Sequence, residues 1–311
     1  MRPDFVERPW GTRDLAPVYP GHQCPNPVGE VWLTGDENRV ANGPLAGRTL
    51  GELCRQFGRA LVGESARETG RFPLLIKFLF SREKLSIQVH PDDEAARRAG
   101  LLCGKTECWY VLAAELGTQV ALGLKPGVTR EQLARAIEEV HAEELLNWVD
   151  IHAEEMIYVD AGTVHTVGPG AVLLETQQNS DTTYRLYDYG RPREIHVEQG
   201  LAATKERTWA GKVKRGDSAT SLVESPCFVV EKFALRETRC FEAAHSPQIL
   251  VALEGSGVAD GAFPLSFRRG EALVLPASVA QARIRPEADL TFLRATLPVA
   301  AVREPETTLE T

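Results

Sequence analysis

From Phe72 onward the sequence is dominated by short segments in which apolar and polar residues alternate with a period of two, each closed by turn residues. That is the strand period, and a chain of many such segments is confined to an antiparallel sandwich or barrel. PLLIKFLF reads as a buried strand, SREK as a turn, and LSIQVH as the next strand, halted by Pro91. ECWYVLAAE, QVALGL, EEMIYVDAGTVHTVG and AVLLETQQNSDTTYRLYDYG continue the series. A polar, glycine-containing connector over 205–221 precedes FVVEKFAL, QILVALEGSG, GEALVLPASV, ARIRP and TFLRATL. Helical patterning falls mainly in the first half: around 50–61, as a loop or short helix in PDDEAARRAGLLCGK, and as a helix over 129–148. In the last, Thr129 is the expected N-cap and Gln132 completes a capping box. Leu133, Ile137, Val140, Leu145 and Leu146 make its apolar stripe. The rest of the first 70 residues reads as turns, and the tail EPETTLET as frayed.

The 311 residues suffice for two cores. The connector divides them into a catalytic unit over 1–215, which carries the helices, and a β unit over 216–311. The net charge of −8 argues against a nucleic-acid partner, and any anionic substrate then needs a local cluster of Lys or Arg. No apolar run approaches the roughly 20 residues that span a bilayer, so no membrane partner is expected. The N-terminal MRPDFVERPWGTRDL lacks an apolar signal region, which makes a cytoplasmic location the expectation. The six cysteines show no C-x-x-C and read as free thiols; Cys103 and Cys108, without a second pair, fall short of a thiolate metal site. The sequence carries no signal for oligomeric state.

Within LSIQVHPDD, Gln88 and His90 lie two apart, so in a strand they share a face. Glu107 opens the next strand and His165 ends VDAGTVH. Gln, His, Glu and His together would suit a borderline divalent metal such as zinc. A hydrogen-bonded structural histidine is the commoner role for either His, and Gln is a poor ligand, so spacing alone leaves both readings open. A weak internal repeat points the same way. Gly162-x-x-His165 and Gly270-x5-Pro276-x-Ser278-x-x-Gln281 each keep part of the second cupin motif, G-x5-P-x-G-x-x-H. This gives the expected fold class: mainly β, two cupin-type jelly-roll barrels with a small helical insertion in the N-terminal half, the second barrel having lost its site.

LSIQVHPDD, GKTECWYVL, DAGTVHTV and LLETQQNSDTTYRLYDYGR resemble, in order and spacing, the motifs of type I phosphomannose isomerases, most closely the short bacterial form. GEVWLTG and REIHVEQGL extend the resemblance over most of the first 200 residues. It implies a double cupin and one zinc ion per chain on Gln88, His90, Glu107 and His165. It also implies a sugar-phosphate substrate, mannose 6-phosphate being interconverted with fructose 6-phosphate through an enediol. Arg185 then matches the catalytic arginine and Glu175 a site acid, whose burial in an apolar strand would raise its pKa. Lys105 is expected in the pocket. Ser86, Lys77 and Arg191 are the expected phosphate contacts, while Asp181 either orients Arg185 or simply makes the turn in NSD. Another phosphorylated aldose as substrate, or a catalytically dead sugar-binding cupin, are the alternatives; an intact set of four ligands plus Arg185 speaks against the second.

Overall fold

The computed structural model describes residues 1–64, 70–214, 220–261, 263–299 and 301–309. The chain is mainly β, as expected. Its first half forms strands β1 (Asp4–Thr12), β2 (Val28–Thr34), β3 (Leu74–Ser81), β4 (Ile87–Val89), β5 (Glu107–Ala114) and β6 (Gln119–Leu124). These are followed by β7 (Leu146–Asp150), β8 (Met156–Val159), β9 (His165–Val167), β10 (Ala171–Gln178), β11 (Tyr184–Tyr187) and β12 (Gly211–Val213). Its helices are α1 (Leu50–Phe57), α2 (Arg59–Val62), α3 (Asp93–Arg98), α4 (Arg130–Glu138) and α5 (Val197–Ala203). The second half adds β13 (Ser221–Glu224), β14 (Val229–Leu235), β15 (Arg239–Glu242), β16 (Gln248–Glu254) and β17 (Ser256–Asp260). It ends with β18 (Leu265–Arg268), β19 (Ala272–Leu275), β20 (Gln281–Pro286), β21 (Leu290–Thr296) and β22 (Thr307–Thr308).

The described strands form four antiparallel sheets. An eight-stranded sheet (β1-β2-β3-β10-β5-β8-β12-β22) faces a five-stranded one (β11-β4-β9-β6-β7). Leu79, Trp109 and Val111 of the first meet Val120, Leu122 and Val167 of the second. In the second half, β13-β14-β21-β16-β19 faces β15-β20-β17-β18. The interior there is filled by Phe233, Phe241, Phe267 and Phe292. A third core joins the two sandwiches, with Phe78, Tyr110 and Tyr158 against Val230, Ile249 and Leu293. β3 therefore buries both faces, and every one of its residues is buried. That is why PLLIKFLF reads as a continuous apolar run instead of an alternating one.

Several sequence expectations change. The helix expected over 129–148 begins as foreseen, with Thr129 and Gln132 closing a reciprocal capping box, but it ends at Glu138. Val140 adopts φ 61°, in the left-handed region, and stands exposed. Leu145 closes a 3-10 turn and Leu146 opens β7, paired with Leu124, so neither belongs to a helical stripe. Around 50–61 there are two helices, split at Gly58, which has φ 50°. The opening residues are not merely turns: β1 and β2 pair there, their alternation hidden by prolines and by register shifts in β1. Nor is the tail frayed across its described residues, because β22 pairs with β12 and the Glu304 carboxylate accepts from the Tyr158 hydroxyl. A boundary at 215/216 lies outside the described residues. The internal repeat has a backbone counterpart: Glu154, six residues before Asp160, has φ 72°, as Gly270, six before Pro276, has φ 82°.

Candidate active site and metal centre

β4 places Ile87 and Val89 in an apolar cluster with Leu133 and Leu186. The strand period then turns Ser86, Gln88 and His90 to the opposite side, between the two facing sheets. Ser86 and Gln88 line a cavity of about 400 Å³ there. Glu107 opens β5 and is completely buried; His165 opens β9, where it is the register partner of Gln88. Gly162, at φ 97° in the turn before β9, lies under the Lys205 stem, at about 2.6 Å from where a Cβ would sit. A side chain there would displace that stem.

One ligand-capable atom each from His90, Glu107 and His165 converges within 4.8 Å. His90 Nε2 lies 3.4 Å and His165 Nε2 3.3 Å from the Glu107 oxygens. The far side of each ring settles which nitrogen carries the proton. His90 Nδ1 meets the Thr182 carbonyl and His165 Nδ1 the Thr163 carbonyl, each at 2.9 Å. A carbonyl only accepts, so both Nδ1 atoms donate, and both Nε2 atoms turn lone pairs toward Glu107. Burial, first of all, holds the His90 pKa well below its ordinary value and His165 at about 4, so both rings are neutral near pH 7. Two lone pairs facing a carboxylate repel unless a cation lies among them. Lys105 supplies one: its Nζ is 2.9 Å from His90 Nε2 and 3.0 Å from Glu107 Oε2. Both Glu107 oxygens are buried without a well-aligned hydrogen-bond donor among the described residues. Burial, then the nearby Glu175, pushes the Glu107 pKa up to about 8. Two neutral imidazoles and a carboxyl that a metal would deprotonate, with a cation already drawn to them, fit a divalent metal. Gln88 completes the expected four. Its amide lies against His165 Nε2 at 3.2 Å and accepts from the Ser86 hydroxyl at 3.2 Å.

Glu175 is the register partner of Lys77 on β3 and of Trp109 on β5. Lys77 Nζ lies 2.8 Å from its Oε2, and the Trp109 indole donates to Oε1 at 3.0 Å. The expectation that burial raises the Glu175 pKa is overturned. Burial does oppose ionisation, but Lys77 and Lys105 outweigh it and bring the carboxyl down to about 2. Lys77 in turn reaches Glu30 at 3.8 Å. It lines the cavity as expected, yet its ammonium is committed to two buried carboxylates, which leaves little charge for a phosphate.

Arg185 on β11 is the register partner of Gln88, which sets it beside the metal cluster on the cavity wall. Its Nη1 donates to the Glu194 carbonyl, and its buried Nε has no partner among the described residues. Asp181 reaches the same wall; it acts on Arg185 through charge only, with no hydrogen bond between them among the described residues. Arg191 is not among the residues that line the cavity; its guanidinium pairs with Asp188 at 2.8 Å and donates to the Lys84 carbonyl. Arg193, two residues on, reaches that wall instead. Arg8, Trp10 and Glu30 also line it and were missed. The signal for Arg8 and Trp10 was ERPWG, an aromatic among charges in a stretch that reads as turns; Glu30 lies in GEVWLTG. Cys103 bonds the Asn179 carbonyl and Cys108 packs in the core between the sandwiches, so neither joins the metal cluster.

Residues 2–117 match the catalytic domain of type I phosphomannose isomerase. The chain is 35% identical over 309 residues to the mannose-6-phosphate isomerase ManA of Bacillus subtilis, an alignment covering 93% of this chain and 96% of the other. The crystal structure of a mannose 6-phosphate isomerase from Bacillus subtilis superposes with a TM-score of 0.82 at 31% identity, covering 94% of this chain and 98% of that one. A zinc-bound mannose 6-phosphate isomerase shares the fold with a TM-score of 0.76 at 18% identity, over 96% of this chain and 98% of that chain.

Proposed function

The chain belongs to the type I phosphomannose isomerase family, and from that membership we propose the assignment of roles within its site. The activity is the interconversion of mannose 6-phosphate and fructose 6-phosphate. The observation that carries the site is the pair of imidazole lone pairs fixed by backbone carbonyls and aimed at a buried carboxylate. Zinc is the metal we assign to it, one per chain, on His90, Glu107 and His165, with Gln88 as fourth ligand once its amide turns Oε1 inward. Bound there, zinc supplies a Lewis acid next to the sugar oxygens. Glu175, which enters the reaction ionised, accepts at its carboxylate the proton that moves between C1 and C2. Lys105 donates from Nζ to the oxygen on which negative charge develops. Arg185 stabilises that same charge from across the cavity, as a fixed cation aimed at the transition state. The Ser86 hydroxyl donates to the sugar phosphate, and Asp181 sets the field around Arg185.

The likeness of the two hairpins around Glu154 and Gly270 supports a duplicated cupin-type module, with units near 1–215 and 216–311. Phenylalanines fill the second interior where the first holds its ligands. No helix among the described residues is long and apolar enough to cross a membrane. Six cysteines scattered without a C-x-x-C suit the reducing cytoplasm we infer for it.

The direct test measures divalent metal by atomic spectroscopy on the purified protein and follows fructose 6-phosphate formed from mannose 6-phosphate on the same sample. One zinc per chain, activity lost to a strong chelator, and its return with zinc are expected. Full activity in metal-free protein would overturn the assignment.

A further inference from the structure

We propose that Arg8 is a substrate-binding residue that grips the phosphate group and makes the enzyme prefer a phosphorylated sugar. The inference rests on the isomerase reading but names a residue outside every motif that carries the family resemblance.

Five cations line the cavity: Arg8, Lys77, Lys105, Arg185 and Arg193. Exposure sorts them. Lys77 and Lys105 are 6% and 4% exposed, and each is neutralised by buried carboxylates at 2.8–3.0 Å. Arg8 and Arg193 are 29% and 21% exposed, at the open side. Each is a pre-set fork. Arg8 donates from Nε and Nη2 to the two oxygens of Glu30, at 3.1 and 3.0 Å. Arg193 donates from Nε and Nη2 to Asp188, both at 2.6 Å. Anchoring one edge of a guanidinium this way removes its rotamer entropy before ligand arrives. Arg8 Nη1 also donates to the Glu7 carbonyl at 3.4 Å, which leaves one hydrogen on each Nη for the ligand. Arg185, with its buried Nε partnerless among the described residues, lines the same cavity. Burial first, then Arg193 and Arg8, depress the Arg185 pKa, so the three cations already press on one another. A protein of net charge −8 that gathers three arginines at one cavity wall, one of them with an orphaned donor, has built a place for a dianion.

The placement of Arg8 is itself constructed. In β1 both Glu7 and Thr12 register with Val28, so the residues between them bulge out of the ladder. Gly11 passes so close to the Val28 backbone that a Cβ would sit 2.4 Å from it. Gly29 leaves the room the Arg8 stem and the Trp10 ring occupy; a Cβ there would stand 2.6 Å from Arg8 Cβ and 2.7 Å from the indole. Glu30, next in sequence, then takes the guanidinium. Bulge, glycine and carboxylate together deliver one arginine to the cavity.

The test compares wild type, Arg8→Met and Arg8→Lys, with zinc content checked on each. Losing a charge-assisted fork to phosphate should raise KM for mannose 6-phosphate about tenfold or more. The kcat should stay within about threefold, because that contact is alike in ground and transition states. Inorganic phosphate, titrated by calorimetry against the zinc-loaded proteins, should bind more weakly by a similar factor. The preference for mannose 6-phosphate over mannose should narrow accordingly. Arg8→Lys keeps a cation against Glu30 and hence the local structure, and should still weaken phosphate, though less. A merely structural arginine would instead lower kcat or zinc content and leave phosphate affinity alone; that result, or unchanged phosphate binding in both variants, overturns the proposal. The phosphate titration needs no turnover, so its outcome is separate from whether the wild type isomerises mannose 6-phosphate.

Discussion

Replacing Lys77 by Met should destabilise the protein by about 3–4 kcal/mol at neutral pH. Lys77 lies 2.8 Å from Glu175, and both side chains are almost fully buried. The Glu175 carboxyl is brought down to about 2 from an ordinary 4.5. At about 1.4 kcal/mol per pH unit, that is about 3 kcal/mol of stability. Breaking one side of a buried pair costs about 3–5 kcal/mol by the separate argument that the survivor is left an uncompensated charge. The sign follows from a depressed acid: the stability is complete above pH 4.5 and is lost as pH falls toward 2. The gap between wild type and variant should therefore be widest at neutral pH and close on acidification. Urea denaturation of both proteins across that range, at fixed saturating zinc, reads it directly, since a ligand of the native state shifts apparent stability. For a chain of 311 residues the same gap lowers Tm by about 5 °C. Lys77→Met combined with Glu175→Leu should recover at least half of the loss, because the orphaned charge is gone. A cost under about 1 kcal/mol, a cost independent of pH, or simple additivity in the double variant would refute this account of Lys77.

Other substitutions separate the remaining roles. His165→Ala removes one lone pair from the metal cluster; zinc content should fall below about a tenth by atomic spectroscopy while circular dichroism keeps the native β signal, since three hydrophobic cores remain. Arg185→Ala should lower kcat by about 10²-fold or more with zinc content unchanged, and Arg185→Lys should restore only part, as steady-state kinetics will show. Val140→Gly should stabilise by about 0.5–1 kcal/mol in thermal unfolding, because a β-branched residue at φ 61° is strained and its exposed side chain contributes little packing.

Strands whose two faces differ in chemistry were legible in the sequence; features set by neighbours distant in sequence were not. Ser86, Gln88 and His90 share a parity that any strand would honour, and the structure puts them on one face. The capping box at Thr129 is equally local. The end of that helix is not local: Leu146 is apolar enough for a helical stripe, and only pairing with Leu124 makes it a strand residue. The charge state of Glu175 was misjudged for the same reason. Burial was inferable from LLETQQ, but Lys77 faces it from a strand almost a hundred residues earlier, and the nearest opposite charge decides a buried carboxyl. Arg191 and Arg193 show how fine the margin is. Both bind Asp188, and which of the two reaches the cavity depends on the turn after β11, not on the composition of YGRPR.

Electroneutrality ties these pieces into one site. The deep end of the cavity holds Glu30, Glu107 and Glu175 against Lys77 and Lys105, and both histidines are neutral. With its pKa pushed up to about 8, Glu107 holds a proton near neutral pH, so Glu30 and Glu175 balance Lys77 and Lys105 next to two unshared imidazole lone pairs. A divalent cation that displaces the Glu107 proton leaves a net positive charge where a sugar oxygen would gain electron density. At the open end, Arg8 and Arg193 keep donors beyond those that Glu30 and Asp188 take up, so an anion still finds partners there. A sugar phosphate answers both ends at once, its phosphate at Arg8 and Arg193 and its reacting oxygens at the metal. A neutral sugar answers neither fully. The acidic protein thus concentrates its local positive charge in the one cavity where an anion has to be held and a second negative charge has to develop.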